Sequence, residues 1–211
     1  MWLPHSINKG RLVAALAVMT LAAGCASGPK PDRQASADAQ AGEPREIPPQ
    51  ALTMYEQAVA SMAAGDTIDA ELRFQEFLLQ YPDFPGAHVN LAIIFVGRDD
   101  LQAAENSLTD ALIIDPAYAP ALNQLGLVER KRGNFEGALG AYEKAIAADP
   151  DYALAHYNLG VLNDLYLQRL DTALVHYERY QALVGEDKQV SRWIADLKRR
   201  IPAQRTANVT E

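Results

Sequence analysis

Residues 119–152 read APALNQLGLVERKRGNFEGALGAYEKAIAADPDY and divide into two apolar-periodic halves around a turn at Gly133. In each half, apolar side chains recur at intervals of three and four residues, a spacing that predicts two amphipathic helices. Gly126 is small enough for the two helices to cross closely, and Tyr142 is large enough to fill the space beside that crossing. Pro150 cannot continue the second helix, so we expect the unit to end there.

The same unit recurs with a period of 34 residues. Each copy keeps a small residue at the helix crossing, a second small residue on the facing helix and a large side chain beside them. In chain order, the crossing position holds Ala58, Ala92, Gly126 and Gly160, the facing position holds Ala70, Ala104, Ala138 and Ala173, and the filling position holds Phe74, Leu108, Tyr142 and Tyr177. Because the fourth copy has an extra residue in its turn, we divide residues 51–187 into the repeats 51–84, 85–118, 119–152 and 153–187.

A 34-residue helix-turn-helix period with these small and aromatic columns and a closing proline resembles the tetratricopeptide repeat. The resemblance implies an all-α solenoid, a right-handed superhelix of four helix hairpins whose core lies between neighbouring repeats and not around one centre. Apolar residues also recur at helical spacing after the repeats, which predicts a capping helix over residues 188–201. Pro202 is expected to end that helix and to leave 202–211 as a disordered tail.

The N-terminal residues have the pattern of a secretory leader. Lys9 and Arg11 precede a short apolar run over residues 12–23, which is too short to span a bilayer and is flanked as a signal peptide is. We therefore predict a signal peptide over residues 1–24.

The end of that leader resembles a bacterial lipobox. Residues 21–25 read LAAGC, and Cys25 is the single cysteine of the chain. The resemblance implies that Cys25 is lipidated and becomes the mature N-terminus, and Ala26 in the following position implies the outer membrane, with the repeats facing the periplasm. Residues 25–50 are rich in proline and polar side chains, so we expect a disordered tether there.

Charge and motif content exclude several function classes. With 27 acidic against 19 basic residues, the net charge of −8 argues against a nucleic-acid partner. The sequence contains no HExxH, CxxC or GxxxxGK[ST] motif, so we predict no catalysis, no metal, no cofactor and no small-molecule substrate. His88 and His156 occupy one repeat column two copies apart, which places them too far apart to share a ligand, and His176 lies on the other helix of its repeat.

The resemblance also implies a binding surface. In tetratricopeptide repeats the first helices line a concave groove that takes an extended or helical segment of a partner protein. The amides of the groove are suited to bond a bound backbone, and its apolar and aromatic side chains supply contact area. Carried over column by column, the predicted groove residues are Tyr55, Val89, Asn90, Asn123, Gln124, Leu127, Arg130, Lys131, Tyr157, Asn158 and Val161.

The basic carboxylate clamp of chaperone-binding members is absent from its columns, which hold Tyr55, Val59 and Asn90. Two further surfaces are open to more than one interpretation. The long fourth turn, with Leu165, Tyr166, Leu167 and Leu170, either packs under the cap against Trp193 or forms an exposed patch. The basic side of the cap, with Arg192, Lys198, Arg199 and Arg200, either solvates the last repeat or docks a partner.

The predicted function is a non-catalytic scaffold that binds proteins of the cell envelope and is held at the membrane through Cys25. Within that class, the sequence resembles pilotin-like lipoproteins of type IV pilus biogenesis, which assist secretin assembly, and lipoproteins that recruit peptidoglycan enzymes. An alternative of another class is a structural periplasmic spacer without a specific groove ligand.

Overall fold

The computed structural model describes residues 47–209, with side chains through Pro202. The predicted signal peptide, Cys25 and nearly all of the tether lie outside the described residues. Within the described range the ordered elements are α-helices, which confirms the predicted all-α fold. They are α1 (Pro49–Ala63), α2 (Thr67–Gln80), α3 (Pro85–Gly97), α4 (Leu101–Ile114), α5 (Ala119–Lys131), α6 (Phe135–Ala148), α7 (Ala153–Leu165), α8 (Leu170–Val184) and α9 (Lys188–Val209).

The helices pack as four successive hairpins, α1–α2, α3–α4, α5–α6 and α7–α8, and each hairpin packs on the next one. The buried apolar residues form five clusters distributed along the chain, not a single centre. This is the arrangement of a solenoid, in which each repeat buries its core against its neighbours. No helix in the described part of the chain is both long and apolar enough to cross a bilayer.

The helix crossings have the geometry that their small residues predict. A Cβ atom added at Gly126 would lie 2.5 Å from Cε1 of Tyr142, and one added at Gly160 would lie 2.4 Å from Cδ1 of Tyr177. Both tyrosine rings are fully buried. The first two repeats use a larger crossing residue, with Ala58 beside a phenylalanine and Ala92 beside a leucine in the same cores.

The hairpin turns repeat one backbone conformation. Positive φ values occur at four equivalent positions, Gly65, Asp99, Gly133 and Gln168. In the first three repeats the next residue is Asp or Asn, and its side chain accepts a hydrogen bond from the backbone N–H three residues on, which caps the second helix. In the fourth repeat that residue is Arg169, which makes no such bond, so this turn lacks the capping bond of the others.

Two predicted boundaries need correction. Helix α1 begins at Pro49, two residues before the predicted start of the first repeat, because proline suits the first helical position, where its missing N–H would have no partner. Helix α9 continues through Pro202 to Val209, so the predicted helix end at 201 and the disordered tail from 202 are wrong for the described residues. An internal proline removes one helical hydrogen bond, and its fixed φ still suits a helix.

Helix α9 caps the solenoid as predicted, by packing on α8. Four of its apolar residues are buried against the last repeat, namely Val190, Ile194, Leu197 and Ile201. On its polar side, Lys198 pairs with Glu178 at 2.7 Å, and Arg200 pairs with the buried Asp164 at 3.0 Å. Carboxylates therefore neutralise much of the predicted basic patch, which favours the solvating role over docking.

Candidate binding groove

The first helices of successive repeats contact one another directly. Helix α3 touches α5, and α5 touches α7, whereas the described second helices α4, α6 and α8 make no comparable contact with each other. The first helices therefore form one row along the stack of repeats, the row that the resemblance predicts to line the groove. All the predicted groove residues lie on these first helices.

Side-chain amides link neighbouring first helices. The Asn90 Nδ2 atom donates to the Tyr55 hydroxyl at 2.8 Å, and the Asn158 Nδ2 atom donates to Asn123 Oδ1 at 2.9 Å. In both bonds, the asparagine donates to the residue 35 positions earlier, on the first helix of the preceding repeat. These asparagines therefore stabilise the stacking of repeats, in addition to any contact with a ligand.

This series of bonds is interrupted in the third repeat. Gln124 occupies the position of the two bonded asparagines, but the corresponding residue of the preceding repeat is Val89, whose side chain offers no acceptor. The Gln124 side chain is 6% exposed, and its Oε1 atom has no hydrogen-bond partner among the described residues. A buried carbonyl oxygen without a partner costs about 1–3 kcal/mol, so the stacking of repeats is less well satisfied here than at Asn90 and Asn158.

The remaining predicted groove residues divide by exposure. Val89, Asn123 and Val161 are buried and form the floor, whereas Leu127 and Tyr157 are half-buried. Tyr157 packs against the rings of Tyr177, Tyr180 and Trp193 at centroid distances of 6.5, 5.3 and 6.0 Å. Leu127 is only partly exposed and belongs to none of the five hydrophobic clusters of the described residues.

Two adjacent cations at the end of α5 have different environments. Lys131 is exposed, and its Nζ atom pairs with Asp99 Oδ1 of the preceding turn at 2.6 Å. Arg130 is half-buried, and its guanidinium carbon lies 5.8 Å from the centroid of the Tyr166 ring. No described carboxylate pairs with Arg130. The groove therefore contains one cation without a partner anion.

Arg130 also acts on the buried tyrosines around it. Burial raises the pKa of Tyr142 to about 12, and the guanidinium works in the opposite direction. The same opposition occurs at Tyr157 and Tyr177, whose pKa values are raised mainly by burial. The Tyr142 hydroxyl has no hydrogen-bond partner of ordinary geometry among the described residues, although Arg130 lies near it.

The long fourth turn combines both interpretations that its sequence allows. Leu170 is buried in the core that α9 completes, where Trp193 also packs. Tyr166 is 44% exposed and stacks on Phe135 at 4.7 Å, and Leu165 is 65% exposed. One end of the turn therefore packs under the cap, and the other end faces solvent.

The structure brings together a histidine pair that the repeat columns do not reveal. His156 Nδ1 lies 3.1 Å from His176 Nδ1, and His156 Nε2 lies 3.1 Å from the carbonyl oxygen of Pro150. Because that carbonyl can only accept, His156 carries its proton on Nε2, and its Nδ1 accepts from His176. No group of three or more His, Cys, Asp or Glu side chains suited to hold a metal ion converges in the described range. The contact joins α7 to α8.

Comparison with known families identifies the repeats. A family profile described as tetratricopeptide repeat matches residues 55–119, and one described as TPR repeat matches residues 126–163. Residues 55–119 and 126–163 thus match tetratricopeptide repeats, and the chain has the all-α fold of such repeats. This confirms the family that the 34-residue period predicts, and such tandem repeats are protein-interaction modules that are generally non-catalytic.

Solved structures are similar in fold. PilF of Pseudomonas aeruginosa is 23% identical, with 74% of this chain and 72% of that chain covered and a TM-score of 0.64. A thermophilic TPR protein of Thermus thermophilus is 24% identical, with 70% of this chain and 80% of that chain covered and a TM-score of 0.62. The first TPR of Spaghetti (RPAP3), solved with an HSP90 peptide, is 16% identical, with 56% and 95% covered and a TM-score of 0.53. No curated protein sequence matches the chain.

Proposed function

We propose that the groove of the first helices binds a segment of a partner polypeptide, and that the protein is a non-catalytic scaffold for an assembly of the cell envelope. The observation that carries this proposal is the state of the third repeat. Leu127 is half-buried outside the hydrophobic clusters, and Arg130 has no carboxylate partner among the described residues, both on helix α5. A polypeptide segment can supply a partner for each: an apolar side chain and a carboxylate.

The neighbouring repeats support a site of limited length. In the second and fourth repeats the equivalent amides are already bonded within the protein, and the floor residues Val89 and Val161 are buried. The binding contribution is therefore expected to centre on α5, with Tyr157 at its edge. A few central residues commonly supply most of the free energy of an interface.

Photo-crosslinking in intact cells tests the groove. A photoreactive phenylalanine analogue replaces Leu127 in the groove or Ile113, which is 73% exposed on α4, as the control on the other face. We expect discrete crosslinked products from position 127 and none of the same products from position 113. Equal patterns from both positions, or none from either, would contradict the proposed groove.

The proteins in those products separate the partner classes. Secretin subunits would support the alternative of a pilotin-like assembly factor, and peptidoglycan enzymes would support a scaffold of cell-wall enzymes. If nothing specific is captured, the alternative of a structural spacer is favoured.

We further propose that lipid on Cys25 anchors the protein to the outer membrane with the repeats in the periplasm. The proposal rests on the lipobox-like sequence ending at Cys25 and on Ala26 after it. Several acyl chains together bind a bilayer firmly, since each buried methylene contributes about 0.8 kcal/mol. The variant Cys25→Ser should appear in the soluble fraction with its helicity unchanged. If it stays in the membrane fraction after a salt wash, the anchor is elsewhere.

A further inference from the structure

We infer that the segment bound in the groove carries an aspartate or glutamate side chain, and that Arg130 binds its carboxylate. This inference rests on the proposed function, because it names the chemistry of the partner at that same groove.

Arg130 differs from every other described cation. Most described Arg and Lys residues pair with a carboxylate, for example Arg132 with Glu105 at 2.8 Å. Among the described residues, those without a carboxylate partner are Arg130, Lys144, Lys188 and Arg192. The last three are exposed and therefore solvated, whereas Arg130 is half-buried. A partly desolvated guanidinium without an anion gains more from a bound carboxylate than a solvated one does.

The equivalent position of the next repeat holds a carboxylate that is already paired. That residue is Asp164 on α7, and its buried carboxylate pairs with Arg200 of α9 at 3.0 Å. Asp164 therefore has a cation of its own on the capping helix.

Tyrosine rings surround Arg130 without neutralising it. The Tyr166 ring lies 5.8 Å from its guanidinium carbon, and the hydroxyl of the buried Tyr142 has no hydrogen-bond partner of ordinary geometry in the described chain. A half-buried guanidinium without an anion favours an anionic group over an amide or an amine.

A displayed library of random dodecapeptides tests the inference with the full-length protein in detergent. Three proteins are compared: the wild type, Arg130→Glu and Lys144→Glu, the last as a control at an exposed cation of α6, outside the predicted groove. We expect the wild type and Lys144→Glu to enrich peptides with Asp or Glu at one position of the motif. We expect Arg130→Glu to enrich Lys or Arg at that position. Circular dichroism and thermal melting establish that each variant is folded.

Synthetic peptides then identify the carboxylate. Replacing the acidic residue by its amide should weaken binding to the wild type about tenfold or more and leave binding to Arg130→Glu unimpaired. Amidating the peptide C-terminus should have no comparable effect. If the amidated terminus instead accounts for the loss, the site binds a terminal carboxylate and the inference is wrong.

The remaining outcomes separate this inference from the proposed function. In one outcome, the wild type enriches peptides that Leu127→Arg does not, but these peptides have no acidic position and Arg130→Glu enriches the same ones. That result would refute the role of Arg130 and leave the groove intact. In the other outcome, the wild type and Leu127→Arg enrich the same peptides, which would refute the groove and the inference with it.

Discussion

Substitution of Gly126 by alanine tests the packing on which the repeat fold depends. The added Cβ would lie 2.5 Å from Cε1 of Tyr142, a ring that is fully buried and has little room to move. Overpacking of this kind costs about 1–3 kcal/mol. Alanine in a helix recovers about 1 kcal/mol relative to glycine, so we expect Gly126→Ala to lower the free energy of unfolding by up to about 2 kcal/mol net.

Gly140→Ala is the matched control for this change. Gly140 is also a helical glycine, but a Cβ added there meets nothing within 4 Å. The substitution should therefore raise the free energy of unfolding by up to about 1 kcal/mol through helix propensity alone. Urea and thermal denaturation, followed by circular dichroism, measure both variants against the wild type.

The double variant Gly126→Ala with Tyr142→Leu reproduces the alanine–leucine combination of the second repeat, Ala92 with Leu108. The clash should disappear in it, so the two substitutions should be less destabilising together than the sum of their separate effects, with a coupling of about 1 kcal/mol or more. A Gly126→Ala variant as stable as Gly140→Ala, or additive effects in the double variant, would refute the crossing geometry.

Three further perturbations follow from the structure. Gln168→Gly should raise the free energy of unfolding by about 0.5–1 kcal/mol, because Gln168 has φ 53° in a turn where two other repeats use glycine; an unchanged or lower urea midpoint would contradict this. Burial, with His156 adding to it, lowers the pKa of His176 from 6.5 to about 4. The unfolded chain therefore binds the proton first, and stability should fall by about 3 kcal/mol as the pH falls from about 6.5 to 4; in His176→Gln that part of the pH dependence of the urea midpoint should be absent. Arg200→Met should lower the melting temperature because it leaves the buried Asp164 unpaired, whereas Arg130→Met should not; equal losses would show that Arg130 has a structural partner.

The sequence predicts those parts of the fold that repeat along the chain. The small residue at Gly126 and the large one at Tyr142 recur in every copy, because each hairpin meets the same packing problem. Their contact in the structure follows directly from that periodicity. The cap over α8 was predictable for the same reason, since the apolar residues of α9 recur at helical spacing.

Features that depend on which side chain faces another between two particular helices were not predictable from the sequence. The contact between His156 and His176 requires the facing orientation of α7 and α8, which a column of equivalent residues does not contain. The orphaned oxygen of Gln124 depends on the valine in the preceding repeat, and the pair between Asp164 and Arg200 depends on how α9 packs on the last repeat. The continuation of α9 through Pro202 also departs from the sequence prediction, because a proline weakens a helix without always ending it.

The most direct test of the account is the dissociation constant of one library-selected peptide for two variants that each add one arginine. Leu127→Arg places the charge in the groove, and Ile113→Arg places it on the outer side of α4, where the side chain is 73% exposed. Fluorescence anisotropy of the labelled peptide should show binding at least about tenfold weaker for Leu127→Arg and unchanged for Ile113→Arg. Equal affinities for the two variants would contradict the claim that the first helices form the binding surface.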